Sequence, residues 1–558
     1  MNDGINKNKI IFLSLLLACL GMIFALFTDK SSSAYIFQSV DNYGISSILN
    51  TLDTNYNYVV FLNPFLCMFI GALSHVLTKA DVFGLFCGAL CFVSLWYMAA
   101  FILCKKRSIS AKIGAFSIWF IAVCSNICSE NYNIITSFAA MSALLPLMDM
   151  VCEGKINKKY VLISSVLILF AYSMRFNIVL LFLPFVLLRI FFACKQNAGK
   201  NTSRIAALAF LPIIVLGILT YASAFFYNHS SEELPAYEYN KARTLVQDYP
   251  LDIYAVSEEG AAKNITENDL RLLSLFMILD TERIDTEYLQ TVADMAVKRF
   301  DISNIKRVAG SFRMPVTQCL WIGMAAIAVM FISLLVFGNK MQQVESLLAV
   351  LGLFLIIIGF LYIGRMADSV LMALEYVCAC ELITIFDITL SKRKKIVVCA
   401  AFTAVCVCAA VKYFTVFFGR PSAPVFTARA NEEVIDDIFA PTYKDDSLYI
   451  WTTFDYSFRL VPLLQEKGKL PTPQLAQHNI AAGGWAFGSA KQKEYFESIG
   501  VTNPAYDLLY RPNTYLVADE SSGTVVYKYI LEHIEPNAKA EYVGDILGVS
   551  AWRFIPGE

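Results

Sequence analysis

Charge is scarce in this sequence: Asp, Glu, Lys and Arg make up 16% of it and hydrophobic residues 57%, where a soluble domain has about 25% and about 45–50%. One large water-soluble core is excluded. The apolar residues fall into blocks of roughly 16–22 separated by short basic loops, and about 20 such residues cross a hydrocarbon core near 30 Å thick. A net charge of −1 gives no basis for binding nucleic acid or another polyanion. Histidine is rare, and His75, His229, His478 and His533 have no metal-ligand spacing, so no zinc site is expected. Cysteine is absent from the polar stretches 228–315 and 418–558, since all 15 lie in or beside apolar blocks. No disulfide framework is implied, and the thiols read as packing groups. There is no internal repeat, low-complexity tract or nucleotide fingerprint. Gly483-Gly484-Trp485 lacks the Lys-Ser/Thr of a phosphate loop and reads as a tight turn.

What is present is a series of spans. Apolar blocks at 10–27, 82–103, 111–128, 132–152, 160–174, 178–194, 206–227, 316–337, 346–363, 367–388 and 396–417 predict about eleven transmembrane helices. The first block lacks a small-x-small cleavage pattern and reads as a retained helix. With the N-terminus in the cytoplasm, the clusters Lys105–Arg107, Lys155–Lys159, Lys195–Arg204 and Lys392–Lys395 all fall inside, as the positive-inside rule asks. The C-terminus then lies outside a cell membrane crossed many times. Tyr58–Leu77 fits that charge pattern as a helix lying along the outer interface, with a re-entrant hairpin as the alternative.

The expected architecture is therefore an α-helical polytopic membrane domain over 1–417 and a C-terminal mixed α/β extracytoplasmic domain over 418–558. The first carries an outer loop and interfacial helix over 28–81 and a helical extracytoplasmic insert over 228–315. In the insert, Thr266 caps a run through Leu270 and Leu273, and Asp285 begins a second with Leu289 and Val292. After 418, residues 447–454, 514–518, 541–547 and 549–555 are strand-like, 456–464 and 525–534 helix-like, and Ser521–Gly523 a turn.

Few residues here carry chemistry. The outer loop holds Asp41 and Asp53 among aromatics, where a partly desolvated carboxylate would accept a proton, or would simply be solvated. Arg175 separates two unusually short apolar runs and either faces an anion or snorkels to headgroups. Arg365, between two spans on the same side, has the same two readings. Glu130 is a further outer carboxylate, and Asp368 and Glu375 should turn away from lipid.

The order of these parts resembles the membrane glycosyltransferases of the C-type (GT-C) fold, in which an essential Asp lies in the first outer loop and an interfacial helix often starts at Asn-Pro. Asp41-Asn42 and Asn63-Pro64 hold the comparable places, although an Asp-Asp or Asp-Glu pair is commoner in that loop. The chain is more closely similar to a bacterial family of such proteins through Tyr58–Leu90, Tyr239–Pro250, Asn268–Leu270 and the Gly483–Trp485 region. The resemblance implies a sugar donor on a polyprenyl phosphate, no soluble nucleotide and no cofactor beyond a divalent cation that the sequence leaves open, and a glycan, lipid or protein acceptor. Asp41 would be the catalytic base, with Arg175, Arg365, Glu130 and Asp53 binding substrate. A cell-surface polysaccharide polymerase or ligase fits the arginines of 228–315, and a non-enzymatic membrane scaffold fits the domain order. A transporter would need a matching pair of broken helices, and none is seen.

Overall fold

The structure is a computed structural model. It describes residues 7–28, 45, 59, 61–77, 82–129, 132–196, 206–207, 210–231, 233–249, 251–295, 315–365, 368–388, 390–419, 439–443, 446–452, 477–484, 490–546 and 548–557. It is mostly helical. The bundle consists of α1 (Lys7–Thr28), α2 (Pro64–Val76), α3 (Val82–Cys104), α4 (Ile109–Ser129), α5 (Tyr132–Glu153), α6 (Lys158–Leu180), α7 (Leu183–Gln196) and α8 (Leu211–His229). After the insert it continues with α13 (Pro315–Phe337), α14 (Lys340–Ile363), α15 (Asp368–Ile385) and α16 (Lys392–Gly419). The insert itself contributes α9 (Glu233–Gln247), α10 (Ile253–Gly260), α11 (Glu267–Ser274) and α12 (Thr286–Met295). A helix thus stands at each of the apolar blocks. Among the described residues, α3, α5, α6, α14 and α16 are long and apolar enough to cross a membrane. By length and composition these five helices suit a membrane.

α5 is the axis of the bundle, buried along its whole apolar length and packed against α3, α6, α7 and α15. Its sequence explains the position. Ser137, Ala139, Ala140, Ser142 and Ala143 are small and let neighbouring backbones approach. The hydroxyls of Thr136, Ser137 and Ser142 donate to carbonyls one turn back, so none is left unpaired in an apolar interior. α14 is the opposite case. Leu347, Leu351, Phe354, Leu355 and Ile358 form an exposed apolar stripe, which belongs against lipid rather than water.

The C-terminal region holds one sheet of β1 (Leu448–Trp451), β2 (Asn479–Ala481), β3 (Thr514–Val517), β4 (Lys539–Ile546) and β5 (Val549–Ile555), in the order β2-β1-β3-β5-β4. The pairs of β1 with β2 and β3 are parallel, and those of β5 with β3 and β4 antiparallel. α17 (Ala490–Ser498), α18 (Pro504–Tyr510) and α19 (Glu520–His533) complete it. Ser521–Gly523 is not a turn, as its composition predicts, but the first turn of α19. Asp519 caps that helix, accepting from the Ser522 N–H at 2.9 Å. The expected helix at 456–464 lies outside the described residues.

The insert and the C-terminal domain share one hydrophobic core. Leu270, Leu273, Ile278 and Leu289 of the insert pack with Leu448, Ile450, Leu516 and Ile530. The joint is also hydrogen-bonded. The Ile278 N–H donates to the Ala482 carbonyl at 2.7 Å, and the Ala505 N–H to that of Leu279 at 3.1 Å. Gly483 bridges Met277, and a Cβ there would come within 2.2 Å of the Phe276 carbonyl oxygen, so only glycine allows the approach.

Candidate functional site

At one end of the bundle the break at Arg175 meets the Asn63-Pro64 start of α2. α6 breaks at Arg175, whose φ of −159° and ψ of 87° are non-helical, and one further turn leads to Leu180. The break frees the Ser173 carbonyl, which accepts from the Asn63 N–H at 2.8 Å. Asn63 is the N-cap of α2, its Oδ1 accepting from the Phe65 N–H at 3.0 Å, while Pro64 supplies the fixed φ suited to a first helical position. Its amide donates to the Ser223 hydroxyl of α8 at 2.5 Å. One asparagine therefore ties α2, α6 and α8 together at the break.

The Arg175 guanidinium lies over the Phe61 ring, 4.8 Å from its centroid, and forms no ion pair among the described residues. One turn below, the Tyr172 hydroxyl is buried without a hydrogen-bond partner among them. A cation and an orphaned hydroxyl at a helix break suit an anionic oxygen ligand. α2 has 13 residues, about 20 Å at 1.5 Å per residue, and is too short to span. It buries Leu66, Ile70 and Ser74 and exposes Phe65, Met68 and Phe69.

Arg365 is engaged differently. Its guanidinium donates to Asp248 at 2.5 Å and stacks over Tyr249 at 5.1 Å, so it clasps the loop after α9. Asp41, Asp53 and Glu130 lie outside the described residues, as does the Asp368 side chain. Ile45, four residues after Asp41, is buried in the bundle core. Glu375 is buried as expected.

Sequence reasoning missed Phe61, Tyr172, Ser223 and Asp248, because their roles come from contacts distant in the chain. It also missed a charged network at the opposite end of α6, although acids and an arginine inside apolar blocks were a signal. There Asp149 accepts from Lys105 and Arg107, and Lys105 also reaches Glu153 at 2.8 Å. Arg189 pairs with Glu345.

Above the bundle, a cleft of about 1000 Å³ separates α11 from α19, lined among others by Arg271, Ser274, Ser521, Thr524, Lys528 and Glu532. Beneath it Asp269 joins the two helices. Burial pushes its carboxyl up, but the close approach of His533 and hydrogen bonds from Arg283 and the Thr266 N–H outweigh that and hold it down, at about 2. No protein-family model, curated protein or solved structure matches this chain.

Proposed function

We propose that this chain is a membrane glycosyltransferase of C-type character, moving a sugar from a polyprenyl-phosphate donor to a cell-envelope acceptor on the outer side of the plasma membrane. In this reading it crosses the bilayer about eleven times, with its N-terminus cytoplasmic and its insert and C-terminal domain outside. The observation that carries the reading is Arg175, a guanidinium with no ion pair among the described residues, fixed at a helix break beside an Asn63-capped helix too short to span. A phosphate arriving from the outer leaflet meets a cation there at little reorganisation cost. As the glycosidic C–O bond breaks, charge develops on the departing phosphate and Arg175 stabilises it. Asp41 accepts the proton of the attacking hydroxyl, and attack opposite the leaving group inverts the anomeric centre.

The cleft between α11 and α19 is the acceptor's place in this scheme, since its hydroxyls and charges of both signs suit a polyhydroxylated chain. The polymerase reading, which leans on the insert's arginines, is weaker. Arg243 is held by Asn240 and Gln247 and Arg283 by Asp269, so these two serve structure.

The test is transfer of labelled sugar from polyprenyl-phosphate donors in membranes containing the wild type, Asp41→Asn, Arg175→Ala or the cleft-filling Thr524→Trp. We expect losses of about 10²–10⁴-fold for the base and about 10²–10³-fold for the arginine, with Thr524→Trp raising the acceptor KM alone. Unchanged activity in Asp41→Asn removes the base, and transfer from no donor at all sinks the reading.

A further inference from the structure

The network opposite Arg175 contains one more acid than its cations balance. Arg189 of α7 is 3% exposed, and it donates from Nη1 to Glu345 of α14 and from Nε to the Cys152 sulfur of α5. Glu381 of α15 is 0% exposed, and its carboxyl lies within electrostatic reach of both Arg189 and Glu345. Neither Glu381 oxygen has a hydrogen-bond partner among the described residues, nor has Oε2 of Glu345.

Among the described residues, no cation other than Arg189 pairs with Glu345 or acts on Glu381. Lys105 and Arg107 face Asp149 and Glu153, two cations against two acids. Lys112 of α4 donates to the Leu103 carbonyl, Lys394 of α16 lies over Phe337, and Asp387 after α15 accepts from the Ser108 N–H. On α15 the neighbours of Glu381 are the thiols Cys378 and Cys380, then Glu375, which packs against Gly323 of α13. One guanidinium, which stays protonated, therefore confronts two carboxyls in a dry helix junction. Two carboxylates would leave an uncompensated charge there, whereas one added proton makes the trio neutral.

We propose that Glu345 and Glu381 share one exchangeable proton around Arg189, forming a proton-binding site where α5, α7, α14 and α15 meet. Whichever carboxyl is ionised pairs with Arg189, and the other holds the proton and donates its O–H. On release, the proton leaves to water at the end bearing Lys105 and Asp149, and the junction gains one negative charge. The site is independent of the transferase reading.

The experiment is infrared spectroscopy of the full chain in lipid nanodiscs, reading the stretching band of protonated carboxyls at neutral pH. Glu381→Gln removes the intensity of one carboxyl. Glu345→Gln removes one as well, because Glu381 then ionises against Arg189. Arg189→Gln adds one, because both acids are then protonated. Glu375→Gln identifies the separate contribution of that buried acid. On alkaline titration the wild-type band fades and returns on reacidification. An unchanged band in Glu381→Gln overturns the shared proton, and a band that persists until the protein unfolds overturns its exchange. Should Arg189→Gln fail to fold, the two glutamine variants at Glu345 and Glu381 decide alone.

Discussion

Asp269 is where the insert is most sensitive to a single proton. Its carboxyl is fully buried and receives Arg283 at 2.8 Å and His533 at 2.9 Å, while it caps α11 by accepting from the Thr266 N–H. Folding lowers its pKa from 3.8 to about 2, so the carboxylate form is the stabilised one. That contribution is complete above about pH 4 and is lost as pH falls towards 2; at about 1.4 kcal/mol per unit it amounts to about 2 kcal/mol. Amide exchange in α11 and α19 should therefore accelerate over that interval. Asp269→Asn, which leaves Arg283 without its anion, should accelerate exchange already at neutral pH and flatten the acid response. Exchange in the variant that matched the wild type at pH 7 would show that the joint does not depend on this carboxylate.

At the scale of the element, α2 shows how much a short helix owes to its cap. Asn63→Ala removes the side-chain acceptor for the Phe65 N–H and the bond to Ser223, at a cost of about 1 kcal/mol for the cap alone. We expect the first-turn amides of α2 to exchange about 5–10-fold faster, with Asn63→Ser restoring most of the protection. Equal protection in the alanine variant would mean that packing alone holds the helix. The start of α2 was legible in the sequence because Asn-Pro is a local signal, and so was the break at Arg175, because a cation between two short apolar runs has nowhere apolar to go. The strands β1, β3, β4 and β5 were legible from their strand-like composition, and β1 from alternation as well. Three-residue β2 was not, since a strand that short has no period to detect. The start of α19 was misread because Ser521–Gly523 has the composition of a turn, and only the Asp519 cap makes it helical. The Arg189, Glu345 and Glu381 cluster was invisible because its members are far apart in the chain.

At the scale of the molecule, the unit above the bundle is made of two distant stretches of chain. Residues 418–558 alone would leave Leu448, Ile450 and Leu516 without the insert residues that cover them. Expressed alone, that segment should aggregate or lack a cooperative melting transition. Joined by a flexible linker to residues 231–297, it should be soluble and melt cooperatively, as followed by circular dichroism. Cooperative melting of the isolated segment would show that the sheet is self-sufficient. The same arrangement sets a timetable for synthesis. The last described helix of the insert ends at Met295, yet β5, which lies between β3 and β4, begins only at Val549. At about 5–20 residues per second, the insert waits roughly 10–50 s for its partner. During that interval four more helices of the bundle, α13 to α16, are made. A nascent chain stalled anywhere in between exposes an unfinished apolar surface, which marks it for chaperones and proteases before its final strand arrives.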